Sequence, residues 1–327
     1  MSVIQETVGT PVQPRAPESF QFQDILYEKQ GWVARVTVNR PHVYNAYRTQ
    51  TLVELREAFR DASYDDGVAV LVLTGAGEKA FCTGGDVTEY ATQYTQRPRD
   101  YWKYMSVFVE CHDLLRNLGK PTIARLNGIV AGGGNEFNMA CDLAVAVEGI
   151  TIRQVGTRVG SVAAGGATQW LPIMIGDRRA REMLLTCDPI DARQALEWGL
   201  VNRVVPREQL DTAVDELCQK LIDKFPECTR YTLQQANFWK DFAWSMTVGH
   251  ARDWLSLHFA TREPWEGMSA FVDKRPPSYR DVREDARDGG PAEFIWGPPA
   301  RTCPSCGARG LPANMAYCGR CGQRLSP

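Results

Sequence analysis

The chain has 327 residues, 44% of them hydrophobic, and 37 basic against 39 acidic side chains leave a formal charge of −2. That is enough apolar material for one or two buried cores, and the near-balanced charge excludes the whole-molecule pull toward nucleic acid that a strongly basic protein exerts. No apolar run reaches the roughly eighteen residues of a membrane span, and the first thirty residues lack the apolar centre and small-residue cleavage site of a secretory leader. A cytoplasmic protein with neither a membrane nor a nucleic-acid partner is expected.

Residues 1–20 hold Pro11, Pro14 and Pro17 and few large apolar groups, which predicts a flexible N-terminal arm, with order starting near Phe22. Trp32, Ala34, Val36 and Val38 alternate with Val33, Arg35 and Thr37 at the period of a strand, and Val68 to Leu73 reads as a second, more buried one. Between them Leu52, Leu55 and Phe59 recur at helical spacing, with Asn45 as a candidate cap. Pro121 to Leu126 and Leu143 to Val147 are further short apolar strands. The helix expected from Tyr101 to Leu118 puts Met105, Phe108, His112 and Leu115 on one face, which makes His112 a core or interface histidine rather than a base. The alternation of strands and helices places residues 21–206 in the α/β class.

After Pro206 the pattern is helical. Leu210, Val214, Leu217 and Leu221 share a face, and a Trp- and Phe-rich stretch runs from Phe238 to Trp254, so residues 207–274 are expected to form a separate helical subdomain. Proline, glycine and charge rise together over residues 275–301, the composition of a linker.

Two glycine loops follow strand-like runs: Ala80-Phe81-Cys82-Thr83-Gly84-Gly85-Asp86 and Gly132-Gly133-Gly134-Asn135-Glu136. Glycine lets the backbone come close to a ligand, and two bare N–H groups converging on one oxygen would stabilise a developing enolate. A carboxylate two residues beyond the second loop could move the proton. With Asn39-Arg40-Pro41, Asn45-Ala46, Lys120-Pro121, Cys141-Asp142 and Gly199-Leu200-Val201, these segments resemble the crotonase, or enoyl-CoA hydratase/isomerase, superfamily from about Ile25 to Pro206. The resemblance implies a spiral of ββα units followed by C-terminal helices that build trimers, usually paired into hexamers. It also implies an acyl-CoA substrate, with coenzyme A as part of it. By position in the motifs, the Gly85 and Gly133 amides would form the oxyanion hole and Glu136 would be the catalytic carboxylate. Gly84, Asp86 and Gly156 are the candidate substrate-side positions, Asp86 chiefly as a helix cap.

Hydratases of this superfamily hold water between two glutamates, and the second falls here on Gly156. The ring-forming naphthoate synthases carry an aspartate just after a Val-Gly-Ser element, where this chain has Ser161-Val162-Ala163. With Gln154-Val155-Gly156, Arg97 to Trp102 and Gly165 to Trp170, the pattern is most similar to the 6-oxocyclohex-1-ene-1-carbonyl-CoA hydrolases of anaerobic benzoyl-CoA degradation. That implies ring hydration, water attack on the ring ketone and expulsion of a thioester enolate, with Gly156 leaving room for the ring. Tyr44, Tyr47, Tyr90, Tyr101 and Tyr104 are the available phenols, none of them assigned to the ketone. A plain enoyl-CoA hydratase or isomerase and a catalytically silent scaffold are the alternatives.

Near the end, Cys303, Cys306, Cys318 and Cys321 form two Cys-x-x-Cys pairs, whereas the other six cysteines are scattered among apolar residues. Four thiolates close a tetrahedral structural zinc site, and residues 302–327 resemble a zinc ribbon. With only Arg301, Arg309, Arg320 and Arg324 nearby, the ribbon is expected to contact protein rather than nucleic acid.

Overall fold

The computed structural model describes residues 13–289, 299–312 and 315–325. The first twelve residues of the expected arm and positions 290–298 of the expected linker lie outside the described residues.

The chain opens with an antiparallel hairpin, β1 (Ile25–Gln30) and β2 (Val33–Val38), turned at Gly31 with φ +58. Helix α1 (Thr49–Tyr64) follows and buries Leu52, Leu55, Ala58 and Phe59. Next come β3 (Val70–Gly75), β4 (Ala80–Cys82), the short α2 (Val87–Glu89), a single π turn at Tyr90–Tyr94, and α3 (Pro98–Arg116). Two shorter passes repeat the plan: β5 (Thr122–Leu126), β6 (Ile129–Ala131) and α4 (Gly133–Ala140); then β7 (Leu143–Val147), β8 (Thr151–Arg153) and α5 (Ala167–Ile175). Helix α6 (Asp177–Thr186), β9 (Ile190–Asp191), α7 (Ala192–Trp198) and β10 (Arg203–Val205) close the core.

Strands sort into a six-stranded sheet, β1-β2-β3-β5-β7-β10, and a four-stranded one, β4-β6-β8-β9. Three times the chain runs one strand in the large sheet, one in the small, and returns through helix. This is a spiral of ββα turns. Parallel neighbours need such crossovers, and the large sheet is parallel from β2 to β10. Because helices cover both faces, β3 is buried at every residue and reads as an unbroken apolar run.

Three expectations need correction. Asn45 does not cap α1: Arg48 occupies that position, its N–H taken by the Thr51 hydroxyl. Asn45 instead adopts φ +56 and ties the Arg40 amide to the Ala76 and Ala80 carbonyls, a use of the left-handed region that asparagine tolerates. The second correction concerns the helices after Pro206. Helix α8 (Leu210–Ile222) buries Leu210, Val214 and Cys218 against β3, β5 and β7, so it belongs to the sheet core. Beyond it lie α9 (Pro226–Ala236), α10 (Phe238–His258) and α11 (Arg262–Val272), with Trp244 of α10 stacked on Trp170 of α5 at 4.9 Å. Third, the segment expected as linker contains α12 (Tyr279–Arg287), anchored by the Tyr279 hydroxyl on the Arg158 carbonyl (2.8 Å) and by the Arg262–Asp285 ion pair. Tyr279, Val282 and Ala286 recur at helical spacing in α12, but none is buried, and the surrounding charges give the segment a linker-like composition.

His112 sits in the core as expected. Its Nδ1 meets the Phe108 carbonyl at 2.9 Å, Phe137 stacks on it at 4.3 Å, and burial lowers its pKa to about 3, so the ring is neutral. In the C-terminal module β11 (Pro299–Arg301) pairs with β12 (Leu311–Pro312) beside a small core of Cys303, Cys318 and Leu325. Among the described residues no helix is long and apolar enough to cross a membrane.

Candidate active site and cysteine cluster

Parallel pairing of β4 with β6 decides the geometry, because two adjacent parallel strands release their following loops at the same edge. Gly84 (φ +94) and Gly132 (φ +52) make turns that side chains resist. A Cβ added at Gly84 would lie 3.0 Å from the Gly133 nitrogen, so the two loops touch. Among the described residues no protein group accepts a hydrogen bond from the Gly85 or Gly133 N–H. Two unused amides thus stand side by side.

Glu136 lies in the first turn of α4 and is 5% exposed. Its Oε1 accepts from the Ala167 N–H at 3.3 Å, and a Cβ at Gly165 would come 3.0 Å from Oε2. Burial raises its pKa to about 7, opposed by the Ala167 and Gly165 amides. A carboxyl poised near neutrality can both take and return a proton.

Phenols crowd the two amides. A Cβ at Gly133 would fall 1.8 Å from the Tyr47 hydroxyl, and one at Gly85 would fall 1.8 Å from the Tyr90 hydroxyl. Tyr90 Oη hydrogen-bonds Tyr104 Oη at 2.6 Å, and Tyr47 is a further hydrogen-bond partner of Tyr90. Tyr101 stacks on Phe259 at 3.6 Å behind them. Burial pushes the pKa of Tyr47, Tyr101 and Tyr104 well above the ordinary phenol value, and the Glu136 charge adds to this for Tyr47 and Tyr101. Four of the five phenols considered from the sequence therefore gather here. Tyr44, 48% exposed, does not. Tyr94 joins the cluster through its ring, 4.9 Å from that of Tyr104 and 5.9 Å from that of Tyr101, while its hydroxyl contacts Thr49; its four-residue spacing from Tyr90 is the signal the sequence offers.

Residues 28–283 match the enoyl-CoA hydratase/isomerase family. The chain belongs to that family. It is similar over 79% of its length to 99% of an enoyl-CoA hydratase from Bacillus anthracis, at 31% identity and TM-score 0.63. An enoyl-CoA hydratase subunit I from Geobacillus kaustophilus gives 31% identity, TM-score 0.63 and coverage of 80% of this chain and 99% of that one. An enoyl-CoA hydratase/isomerase from Xanthobacter autotrophicus gives 26%, 0.69, 82% and 94%.

Within this crotonase fold, Asp86 takes the helix-cap role expected of it, and Gly156 lies against backbone. Asp86 does cap α2, accepting from the Thr88 and Glu89 amides, and its other oxygen pairs with Arg40 at 2.9 Å. Through these contacts the carboxylate braces the Gly84–Gly85 loop. Gly156 is half-buried, and a Cβ there would lie 2.9 Å from the Ala163 nitrogen and 3.2 Å from the Ser161 carbonyl oxygen, so the 161–163 backbone fills part of the space that a side chain would take.

Far along the sequence, the Cys303, Cys306, Cys318 and Cys321 sulfurs lie within 4.8 Å of one another. Cys303–Cys321 at 3.6 Å and Cys306–Cys318 at 3.7 Å approach the edge of a tetrahedron with zinc–sulfur bonds of about 2.3 Å. Backbone amides, those of Cys306 and Cys321 foremost, lower the pKa of Cys303 to about 6 and lower that of Cys318, while at Cys306 the Ala308 amide is outweighed by the neighbouring thiols and the pKa is pushed up to about 12. The donor set fits a structural metal.

Proposed function

We propose that this chain is a ring-opening hydrolase of a cyclic acyl-CoA, which hydrates 6-oxocyclohex-1-ene-1-carbonyl-CoA and cleaves the ring carbon–carbon bond to give 3-hydroxypimelyl-CoA. The observation that carries the reading is a single buried carboxylate, Glu136, beside two unused amides, with backbone rather than a second carboxylate packed at Gly156. A wall of phenols suits a more polar acyl group than a plain enoyl chain.

The Gly85 and Gly133 amides would hold the thioester oxygen. Water adds across the ring double bond, Glu136 taking its proton while enolate charge builds on that oxygen and then delivering it to the carbon next to the thioester. A second water then attacks the ring ketone and gives its proton to Glu136. The bond between the ketone carbon and the carbon next to the thioester breaks, its electron pair passing into the thioester enolate, and Glu136 returns a proton to that carbon. One oxyanion hole serves both steps.

Cys303, Cys306, Cys318 and Cys321 would hold a structural zinc, which organises the C-terminal module and takes no part in the chemistry. Phe238, Trp239, Phe242 and Met246 are all more than half exposed on α10, which supports burial against further copies in a trimer or hexamer. Native mass spectrometry tests this: a monomer contradicts it.

A second reading, hydration or isomerisation of a linear enoyl-CoA, is favoured by solved relatives that are named as enoyl-CoA hydratases. Turnover of the cyclic keto thioester against crotonyl-CoA separates the two. Faster turnover of the ring supports the hydrolase, and faster turnover of crotonyl-CoA supports the rival.

A further inference from the structure

We infer that Tyr90 is a catalytic residue of the ring-cleavage step, its phenol donating to the oxygen of the ring ketone while water attacks the carbonyl carbon. The inference rests on the ring-opening reading and supplies the ketone activator that the sequence does not single out.

Three facts converge on this hydroxyl. It stands against the α-carbon of Gly85, whose amide is one of the two unused donors. Tyr104, at 2.6 Å and 2% exposed, and Tyr47 can both donate to it, an arrangement that leaves the Tyr90 proton for the substrate. Tyr90 also opens the single π turn, Tyr90–Tyr94, a helical irregularity that recurs at functional sites. The wider turn is fixed by the Thr95 N–H donating to the Tyr90 carbonyl at 3.0 Å.

Substrate chemistry selects the same place. The ketone carbon is bonded to the carbon that carries the thioester, so the two carbonyl oxygens occupy neighbouring hydrogen-bonding positions. With the thioester oxygen on the Gly85 and Gly133 amides, the next donor along the wall is a phenol. Of the two phenols beside the glycines, Tyr90 can accept from both Tyr104 and Tyr47, whereas Tyr47 is itself directed at Tyr90 and packs edge-on against Phe137. Raised phenol pKa values keep these groups protonated, as donors must be.

Electrons and protons balance in the step. The water oxygen bonds to the ketone carbon and its proton goes to Glu136. The former ketone oxygen gains charge under the Tyr90 hydrogen bond, then re-forms a double bond as the ring carbon–carbon pair leaves into the thioester enolate. That enolate carbon takes the proton back from Glu136, and Tyr90 ends with its own proton.

Tyr90→Phe keeps the ring that packs on Tyr101 and Phe259 and removes only the donor. The test follows the full chain by mass spectrometry on 6-oxocyclohex-1-ene-1-carbonyl-CoA and, for comparison, on cyclohex-1-ene-1-carbonyl-CoA, which lacks the ketone. Loss of one transition-state donor should lower the ratio of ring cleavage to hydration by about 100-fold and let the singly hydrated ring accumulate. An unchanged ratio, or equal losses on both substrates, overturns the assignment while leaving the ring-opening reading in place. A parent enzyme that is inert toward the keto ring overturns that reading and this inference with it.

Discussion

The Ala167 N–H donates to Oε1 of Glu136 at 3.3 Å, so the first turn of one helix orients the carboxylate that projects from the first turn of another. The contact is long and the surroundings are apolar, with Phe108 against Gly165 on the opposite oxygen's side. Desolvation therefore outweighs the amides, and the carboxyl titrates near 7 instead of near 4.5.

Glu136→Gln keeps the shape and loses the proton acceptor. Turnover should fall by roughly 100-fold or more with acyl-CoA binding largely retained, and kcat/KM of the parent should rise with pH through an inflection near 7. Near-full activity of the variant would make Glu136 a helix-start residue only.

The same shift fixes a stability signature. Between about pH 4.5 and 7 the folded protein keeps a proton that the unfolded chain has lost, so stability falls across that window as pH rises, by about 3 kcal/mol at most. Glu136→Gln removes this term. Its Tm should exceed that of the parent at pH 8 and converge with it near pH 4; a constant difference would mean that the carboxyl is solvated.

Gly133 and Gly134 should separate function from folding. A methyl on Gly133 meets the end of the Tyr47 side chain, whereas one on Gly134 lies 2.0 Å from the Cys82 carbonyl of β4. Gly134→Ala should cost about 3 kcal/mol or more through overpacking against a strand. Gly133→Ala should mainly slow turnover, by about 100-fold, as an oxyanion donor is displaced. Thermal melts and kinetics on both variants check this, and equal Tm losses would refute the distinction.

Gly156→Glu should create no second catalytic carboxylate. Its Cβ would collide with the Ala163 amide, so the 156–163 turn must move and both cyclic and linear substrates should lose turnover. A gain in hydration of crotonyl-CoA would show that the space is open after all.

Much of the scaffold was legible in the sequence because burial on both faces forces apolar runs: β7 falls on Leu143–Val147 and β3 overlaps the run from Val68. The three-residue strands β4, β6 and β8 are too short for any period to register, yet their pairing is what brings the glycine loops together. The glycines and Glu136 were visible as motifs. The phenol cluster was not, since it joins Tyr47 after the first hairpin to Tyr90 and Tyr104 across a π turn and a helix, a proximity that only tertiary packing creates. Gly156 is ambiguous for a related reason, because a missing side chain does not reveal whether substrate or backbone fills its place.

The four C-terminal cysteines should bind one zinc per chain. Elemental analysis should find it in the intact protein and not in a Cys303→Ser/Cys318→Ser variant, and a chain ending near residue 299 should retain turnover. Zinc-free intact protein would contradict the metal site, and complete loss of turnover on truncation would contradict the division of labour.

Turnover of 6-oxocyclohex-1-ene-1-carbonyl-CoA in heavy-oxygen water, read by fragment mass spectrometry, tests ring opening most directly. Two labelled oxygens are expected in the product, one in the new hydroxyl and one in the new carboxylate. A product with a single label confined to the hydroxyl would mean a hydratase that leaves the ring intact, and would contradict ring-opening hydrolysis.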